Sequence, residues 1–132
     1  EPEIKPDLQT ELQDVYAPFV QVVVQPNGPT SEKRLIDAIS DGLRQAMEKH
    51  PKLVLMGQDI AEYGGVFKIT QGFVEAFGKE RVRNTPLCES AIVGSALGLS
   101  IKGFKAMMEM QFADFVTEGF NQIVNNLAKM HY

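Results

Sequence analysis

Leu53-Val54-Leu55-Met56-Gly57 is the stretch whose reading decides the fold. Four consecutive large apolar residues closed by a glycine fit a short strand buried on both faces, because a strand with one wet face alternates. Upstream, Leu35, Ile36, Ile39, Leu43, Ala46 and Met47 recur at helical spacing, with Lys33, Asp37, Arg44 and Glu48 between them. Ser31 is the expected N-cap of that helix. His50-Pro51 is its expected end, because proline restricts the residue before it. Downstream, a loop holding Gly64-Gly65 leads to Phe73, Val74, Ala76 and Phe77, a second helix stopped by Gly78. Arg81-Val82-Arg83-Asn84 reads as a weak strand, broken by Pro86. Residues 89–101 read as a third helix stopped by Gly103, and Lys105 to Met110 as a third strand. Asp114 or Thr117 then opens a last helix with Phe120, Ile123, Val124 and Leu127 on its apolar face. Strands alternating with helices predict an α/β fold: a doubly wound, mostly parallel sheet with helices on both faces.

The third helix is rich in small residues: Ala91, Gly94, Ser95, Ala96 and Gly98. A glycine inside a helix costs about 1 kcal/mol relative to alanine. Two of them call for a reason, and close approach of another backbone is the expected one.

Residues 1–30 differ from the rest of the chain. They hold five of the seven prolines around one apolar stretch, Phe19-Val20-Gln21-Val22-Val23-Val24, which ends at the turn cluster Pro26-Asn27-Gly28-Pro29. That stretch reads either as a short strand or as a segment laid over a partner. Residues 1–30 are therefore expected to be a linker or N-terminal arm, with the domain proper over 31–132. No turn signal comes after the last helix, and three or four strands make a modest sheet, so a fragment of a longer chain is expected.

Composition narrows the function. The chain has 132 residues, 44% hydrophobic and 23% charged, the mix of an ordinary globular domain. A net charge of −4 makes nucleic acid and anionic membrane poor partners. No apolar run approaches the roughly 20 residues a membrane helix needs, and the acidic, proline-bearing start does not read as a secretory signal. A single cysteine, Cys88, rules out an internal disulfide framework and agrees with a reducing cytoplasm, or a mitochondrial matrix.

The chemistry concentrates in Asn84-Thr85-Pro86-Leu87-Cys88-Glu89-Ser90-Ala91-Ile92-Val93-Gly94. It places a carboxylate where a strand end meets a helix N-terminus, and ligands of open α/β sheets bind at the carboxyl ends of strands. Local chemistry leaves two readings of Glu89: an acid facing a ligand, or a favourable first-turn acid.

Thr85 to Gly94, together with Glu109-Met110-Gln111-Phe112-Ala113-Asp114-Phe115 and Gly57-Gln58-Asp59-Ile60-Ala61-Glu62-Tyr63-Gly64-Gly65-Val66-Phe67, closely resembles the beta subunits of 2-oxo acid dehydrogenase complexes. The three blocks arrive in the family's order and spacing, and the likeness covers roughly residues 33–132. The glutamate block and Gln111 to Asp114 resemble the branched-chain (2-oxoisovalerate) members more than the pyruvate members, with pyruvate or acetoin dehydrogenase the near alternative. The resemblance implies the N-terminal part of a transketolase-like pyrimidine-binding domain that takes the pyrimidine end of thiamine diphosphate.

It carries particular roles onto particular positions. Glu89 matches the glutamate that hydrogen-bonds and protonates a ring nitrogen of the aminopyrimidine. The chemistry needs an acid there, because a glutamine would keep the contact but have no proton to give. Leu87 matches an apolar residue lining the pyrimidine pocket, Gln111 a polar residue near the cofactor, and Phe115 an aromatic against the pyrimidine, where many relatives carry tyrosine. Simple core packing is the competing reading of Phe115. The implied partners are an alpha subunit, or a fused alpha domain joined through residues 1–30, which holds the diphosphate and its magnesium ion. A second beta subunit and a lipoyl-bearing acyltransferase core complete the set. The implied reaction is oxidative decarboxylation of 2-oxo acids with acyl transfer to lipoamide, and the isolated segment is expected to be inactive. A reading of another class, a non-catalytic assembly module built on residues 89–101 and 114–130, competes.

The remaining groups carry less. Glu62-Tyr63-Gly64-Gly65 lacks the lysine and spacing of a phosphate-binding P-loop and reads as a structural or interface loop near the active site. His50 reads as a helix C-cap, and His131 as structural. Two distant histidines and one cysteine make no zinc site, and Cys88 has no neighbouring base to activate it. Met107, Met108 and Met110 read as core.

Overall fold

The computed structural model describes residues 5–7, 9–11, 13 and 18–130. The apolar run is strand β1, Leu53–Gly57, buried along its whole length. It is the middle of a three-stranded parallel sheet, between β2 (Val82–Asn84) and β3 (Lys105–Met108). Leu55 stands opposite Val82 on one side and Met107 on the other. Paired on both edges and covered on both faces, β1 has no place for a polar side chain.

Its alternation sorts two apolar layers. Leu53 and Leu55 pack with Met47, Ile60, Ala61, Phe73 and Val82. Val54 and Met56 point the other way, onto Ile92, with Cys88, Leu99, Met108 and Met110 around them. The first layer is closed by helices α1 (Leu35–Lys49) and α2 (Phe73–Phe77), the second by α3 (Glu89–Ile101). The doubly wound parallel α/β reading therefore holds.

The ends of the helices show what fixes them. Helix α1 begins at Leu35, and Ser31 is not its cap: Arg34 takes that position without a side-chain cap. The Arg34 carbonyl accepts from the amides of Asp37 and Ala38. Its guanidinium grips the Asp37 carboxylate at 2.8 and 2.9 Å. This first-turn ion pair ties Arg34 to the helix but satisfies none of the free first-turn N–H groups, so the end carries no side-chain cap. At the other end His50 is the C-cap, as expected. Three carbonyls there are taken by one side chain. Arg81 donates from Nη2 to Met47 O (2.7 Å) and His50 O (2.8 Å), and from Nε to Leu53 O (3.0 Å). Helix α3 ends as predicted at Gly103, whose φ of +80° admits a paired stop: Gly103 N–H to Ser100 O and Phe104 N–H to Leu99 O, each 3.0 Å.

Two expectations fail. Among the described residues it is not another backbone that lies nearest the glycines of α3. A Cβ at Gly98 would meet nothing within 4 Å, and one at Gly94 would meet only the Gln122 side chain, at 3.3 Å. The close approach is made from the other partner: a Cβ at Gly119 would lie 2.6 Å from Val93 Cγ2. The last helix is also not a regular α-helix. Ala113–Gly119 winds as 3₁₀ turns, Gln122–Asn126 as a π turn and Leu127–Lys129 as 3₁₀ again. Gly119, the weakest helix former in the run, sits at the first change. Of its predicted apolar face, Phe120, Val124 and Leu127 lie exposed and Ile123 is half-buried among the described residues.

Phe19 to Val24 is exposed and outside the sheet, so it forms no strand here.

Candidate functional site

The carboxyl ends of the three parallel strands lie along one edge, where open α/β sheets bind ligands. Two hydrogen bonds carry the ladder past the strand ends: Thr85 N–H to Gly57 O (2.8 Å) and Glu109 N–H to Met56 O (2.9 Å). Glu89 is the first residue of α3, where the helix dipole favours a carboxylate. Gln58 is the first residue beyond β1. Its Nε2 donates to Glu89 Oε1 at 3.0 Å, and its side chain is buried although polar. An open pocket of about 490 Å³ lies against this end of α3, lined by Cys88, Glu89, Ser90, Ala91, Glu118 and Gln122. Gly94 makes room for the Gln122 amide, whose Oε1 also accepts from Asn126 Nδ2 at 2.6 Å.

The other predicted site residues do not line this pocket. Leu87 is 83% exposed, two residues before Glu89. Gln111 is half-buried beyond β3. Phe115, also half-buried, stacks edge-to-face on Phe112 at 5.5 Å, and Phe112 on Phe67 at 6.0 Å. Cys88 is half-buried, with Sγ 3.3 Å from Pro86 O.

The loop of residues 58–72 folds tightly over the same edge. Asp59 and Lys68 hold φ of +56° and +59°, which a non-glycine residue adopts only where its surroundings fix it. The fixings are visible. Gly65 N–H bonds Asp59 O (2.9 Å), and Thr70 Oγ1 donates to Ile60 O (2.6 Å). Asn84 accepts from Ala61 N–H at 2.7 Å and donates to Glu62 at 3.1 Å. Glu62 in turn pairs with Lys79 at 2.6 Å, and these contacts hold its carboxyl below its ordinary value. Beneath the loop lies Glu109. Its two carboxylate oxygens would each be 3.5 Å from a Cβ at Gly65, and burial pushes its carboxyl above the usual 4.5.

Sequence reasoning passed over four residues at this edge: Gln58, Glu109, Glu118 and Gln122. Gln58 had a signal, a polar residue directly after a wholly apolar strand in an α/β fold. Gln122 and Glu118 had none, because their placement depends on how the C-terminal run winds. Among the described residues no group of three or more His, Cys, Asp or Glu side chains is placed to hold a metal ion. No helix among them is long and apolar enough to cross a membrane. His131 lies outside the described residues.

Residues 31–132 match the family model described as the transketolase pyrimidine-binding domain. The chain is 45% identical over 97 residues to the 2-oxoisovalerate dehydrogenase subunit beta of Bacillus subtilis, covering 74% of this chain and 30% of that protein. It is 47% identical over 98 residues to the mitochondrial 2-oxoisovalerate dehydrogenase subunit beta 2 of Arabidopsis thaliana, covering 74% of this chain and 27% of that protein. It is 42% identical over 108 residues to the pyruvate dehydrogenase E1 component subunit beta of Leifsonia xyli, covering 82% of this chain and 32% of that protein. The chain thus spans about a third or less of the length of these relatives.

Proposed function

Because this chain belongs to the transketolase pyrimidine-binding domain family, we propose that it is the pyrimidine-binding part of a beta subunit in the decarboxylating component of a branched-chain 2-oxo acid dehydrogenase. The observation that carries the reading is the carboxyl of Glu89, fixed by a buried amide at the ligand-binding edge of a parallel sheet. The branched-chain choice is supported by 42–47% identity to four proteins named for 2-oxoisovalerate, against 38–42% for three named for pyruvate.

Thiamine diphosphate fits the donor set present. Glu89 offers one carboxylate oxygen held by Gln58 and a second that takes no hydrogen bond within the described residues. Leu87 beside it presents an apolar side chain outward. In the proposed site Glu89 holds and delivers a proton at a pyrimidine ring nitrogen. Leu87 and Phe115 would flank the ring, and Gln111 would give a polar contact near it. When bound, the cofactor supplies the electron sink for loss of carbon dioxide from a 2-oxo acid, and the protein binds and orients it. The diphosphate and magnesium belong to an alpha subunit or fused alpha domain. A second beta subunit and a lipoyl-bearing acyltransferase core are the further proposed partners.

The test is kcat/KM of the complete enzyme for 3-methyl-2-oxobutanoate against pyruvate, with thiamine diphosphate and magnesium present. A large preference for the branched acid is expected. A preference for pyruvate moves the protein to the neighbouring group, and turnover of neither with cofactor bound overturns the substrate class. In the same enzyme Glu89→Gln is expected to lower kcat about 10²–10⁴-fold, the usual share of a positioned acid, with subunit assembly unchanged. Loss of assembly, with activity tracking the remaining complex, would favour a structural role for this helix.

A further inference from the structure

We infer that Gln58 is a positioning residue that holds Oε1 of Glu89 in both protonation states of the acid and so leaves Oε2 to exchange the proton. The inference rests on the proposed function for its ligand, but its geometry stands in this chain alone.

Three features deliver Gln58 to that place. The alternation of β1 sends Val54 and Met56 to the α3 side, so the residue two beyond Met56 joins them there. Gly57 lets the strand end run close beneath its neighbours: a Cβ there would lie 3.0 Å from Glu109 Cβ and 3.1 Å from Ile60 Cγ2. Asp59, at φ +56°, then turns the chain away. Gln58 is therefore left facing the first turn of α3 with only 8% of its surface exposed. A buried amide needs a partner, and Glu89 Oε1 is the one its Nε2 finds, 3.0 Å away.

The chemistry of an amide explains why glutamine suits the position. Against an ionised Glu89 its Nε2–H donates to Oε1. Against a protonated Glu89 the proton sits on Oε2, and Oε1 keeps the lone pairs that accept from Nε2–H. One neutral side chain thus serves the acid before and after proton transfer, adding no charge of its own to the pair. A carboxylate at position 58 would serve only one state: with both groups ionised, two like charges would meet at hydrogen-bond distance. A leucine would serve neither.

The test compares the assembled enzyme with Gln58→Leu and Gln58→Glu variants by two readouts that need no turnover. The first is the crystal structure of the cofactor-free enzyme, and the second is calorimetric Kd for thiamine diphosphate with magnesium from pH 6 to pH 8.5. Expected for Gln58→Leu are a Glu89 carboxylate shifted by more than about 1 Å and a Kd weakened about tenfold or more at every pH, the scale of one hydrogen bond to a charged group. For Gln58→Glu the weakening is expected at pH 8.5 and to recede toward pH 6, where a shared proton restores the bridge. That pH dependence is not expected of a residue that only fills space. If Gln58→Leu fails to assemble, the isosteric Gln58→Glu decides. Native affinity at all pH values in Gln58→Glu, or an unmoved Glu89 with native affinity in Gln58→Leu, overturns the inference. Failure of the native enzyme to bind thiamine diphosphate overturns the proposed function instead, and the position of Glu89 in the Gln58→Leu crystal then decides the role of Gln58.

Discussion

The layer of α1, α2 and β1 and the C-terminal run of residues 113–129 both carry an apolar periodicity in sequence, yet they have opposite fates. In the first, Met47, Phe73 and Val82 are fully buried. In the second, Phe120 is 64% exposed, and Val124 and Leu127 lie open beside it. Apolar periodicity states what a segment needs to bury and says nothing of what covers it. The first layer meets its cover within the described residues, and the second does not.

The largest test of that contrast pairs two phenylalanines. Phe73→Ala is expected to cost about 3–5 kcal/mol, as for a fully enclosed aromatic. Phe120→Ala is expected to stay within about 0.5 kcal/mol, as for a surface change. Denaturant unfolding of the protein measures both. A cost at Phe120 approaching that at Phe73 would break the contrast and mean that something beyond the described residues covers this face.

Arg81→Ala comes next and sharpens the description of the first layer. Removing a side chain that satisfies three carbonyls at the seam of α1 and β1 is expected to cost about 2–3 kcal/mol, because those acceptors are part-buried. Arg81→Lys should recover only part of it, since an ammonium lacks the planar fork. Full recovery by lysine would reduce the role to charge.

Gly119→Ala probes where the second region is fastened. Val93 is β-branched and stiff, so the added methyl, 2.6 Å from its Cγ2, is expected to cost about 1–3 kcal/mol. Val93→Ala in the same protein should recover part of that loss, and a double-mutant cycle measures the coupling. An alanine at 119 tolerated without cost would mean the run lies further from α3.

The same contrast explains what was legible. Strand β1, helix α3 from Glu89 to Ile101 and its stop at Gly103 all arise from residues that act locally or repeat regularly. The cap of α1 was misplaced because Ser31 offers a capping hydroxyl, whereas Arg34 takes the position with no side-chain cap at all. The glycines of α3 were read as the yielding side of a contact in which the yielding residue is Gly119, on the opposite element. A single helix carries no record of what crosses it. At the site, the place of Glu89 between strand and helix left two readings open and only the family resemblance chose between them, and its amide partner comes from 31 residues upstream. That pairing depends on the register of β1, which the pattern of apolar residues does not specify beyond its faces.

Glu109 gives the smallest expected effect and tests the seam between the two regions, where the loop of residues 58–72 closes over β3. Burial raises its folded-state carboxyl above the ordinary 4.5. The folded protein then binds the proton more tightly than the unfolded chain does, so ionisation opposes folding. This penalty is absent in acid below 4.5, appears as pH rises through the window between the unfolded and folded values, and is fully present above it. Glu109→Gln removes the charge while keeping the shape. Its Tm is therefore expected to exceed the native value at pH 7 by a small margin and to match it near pH 4. A variant less stable than native at pH 7 would mean that the ionised carboxylate has a stabilising partner, and that the loop is held over the sheet edge by charge as well as by its backbone.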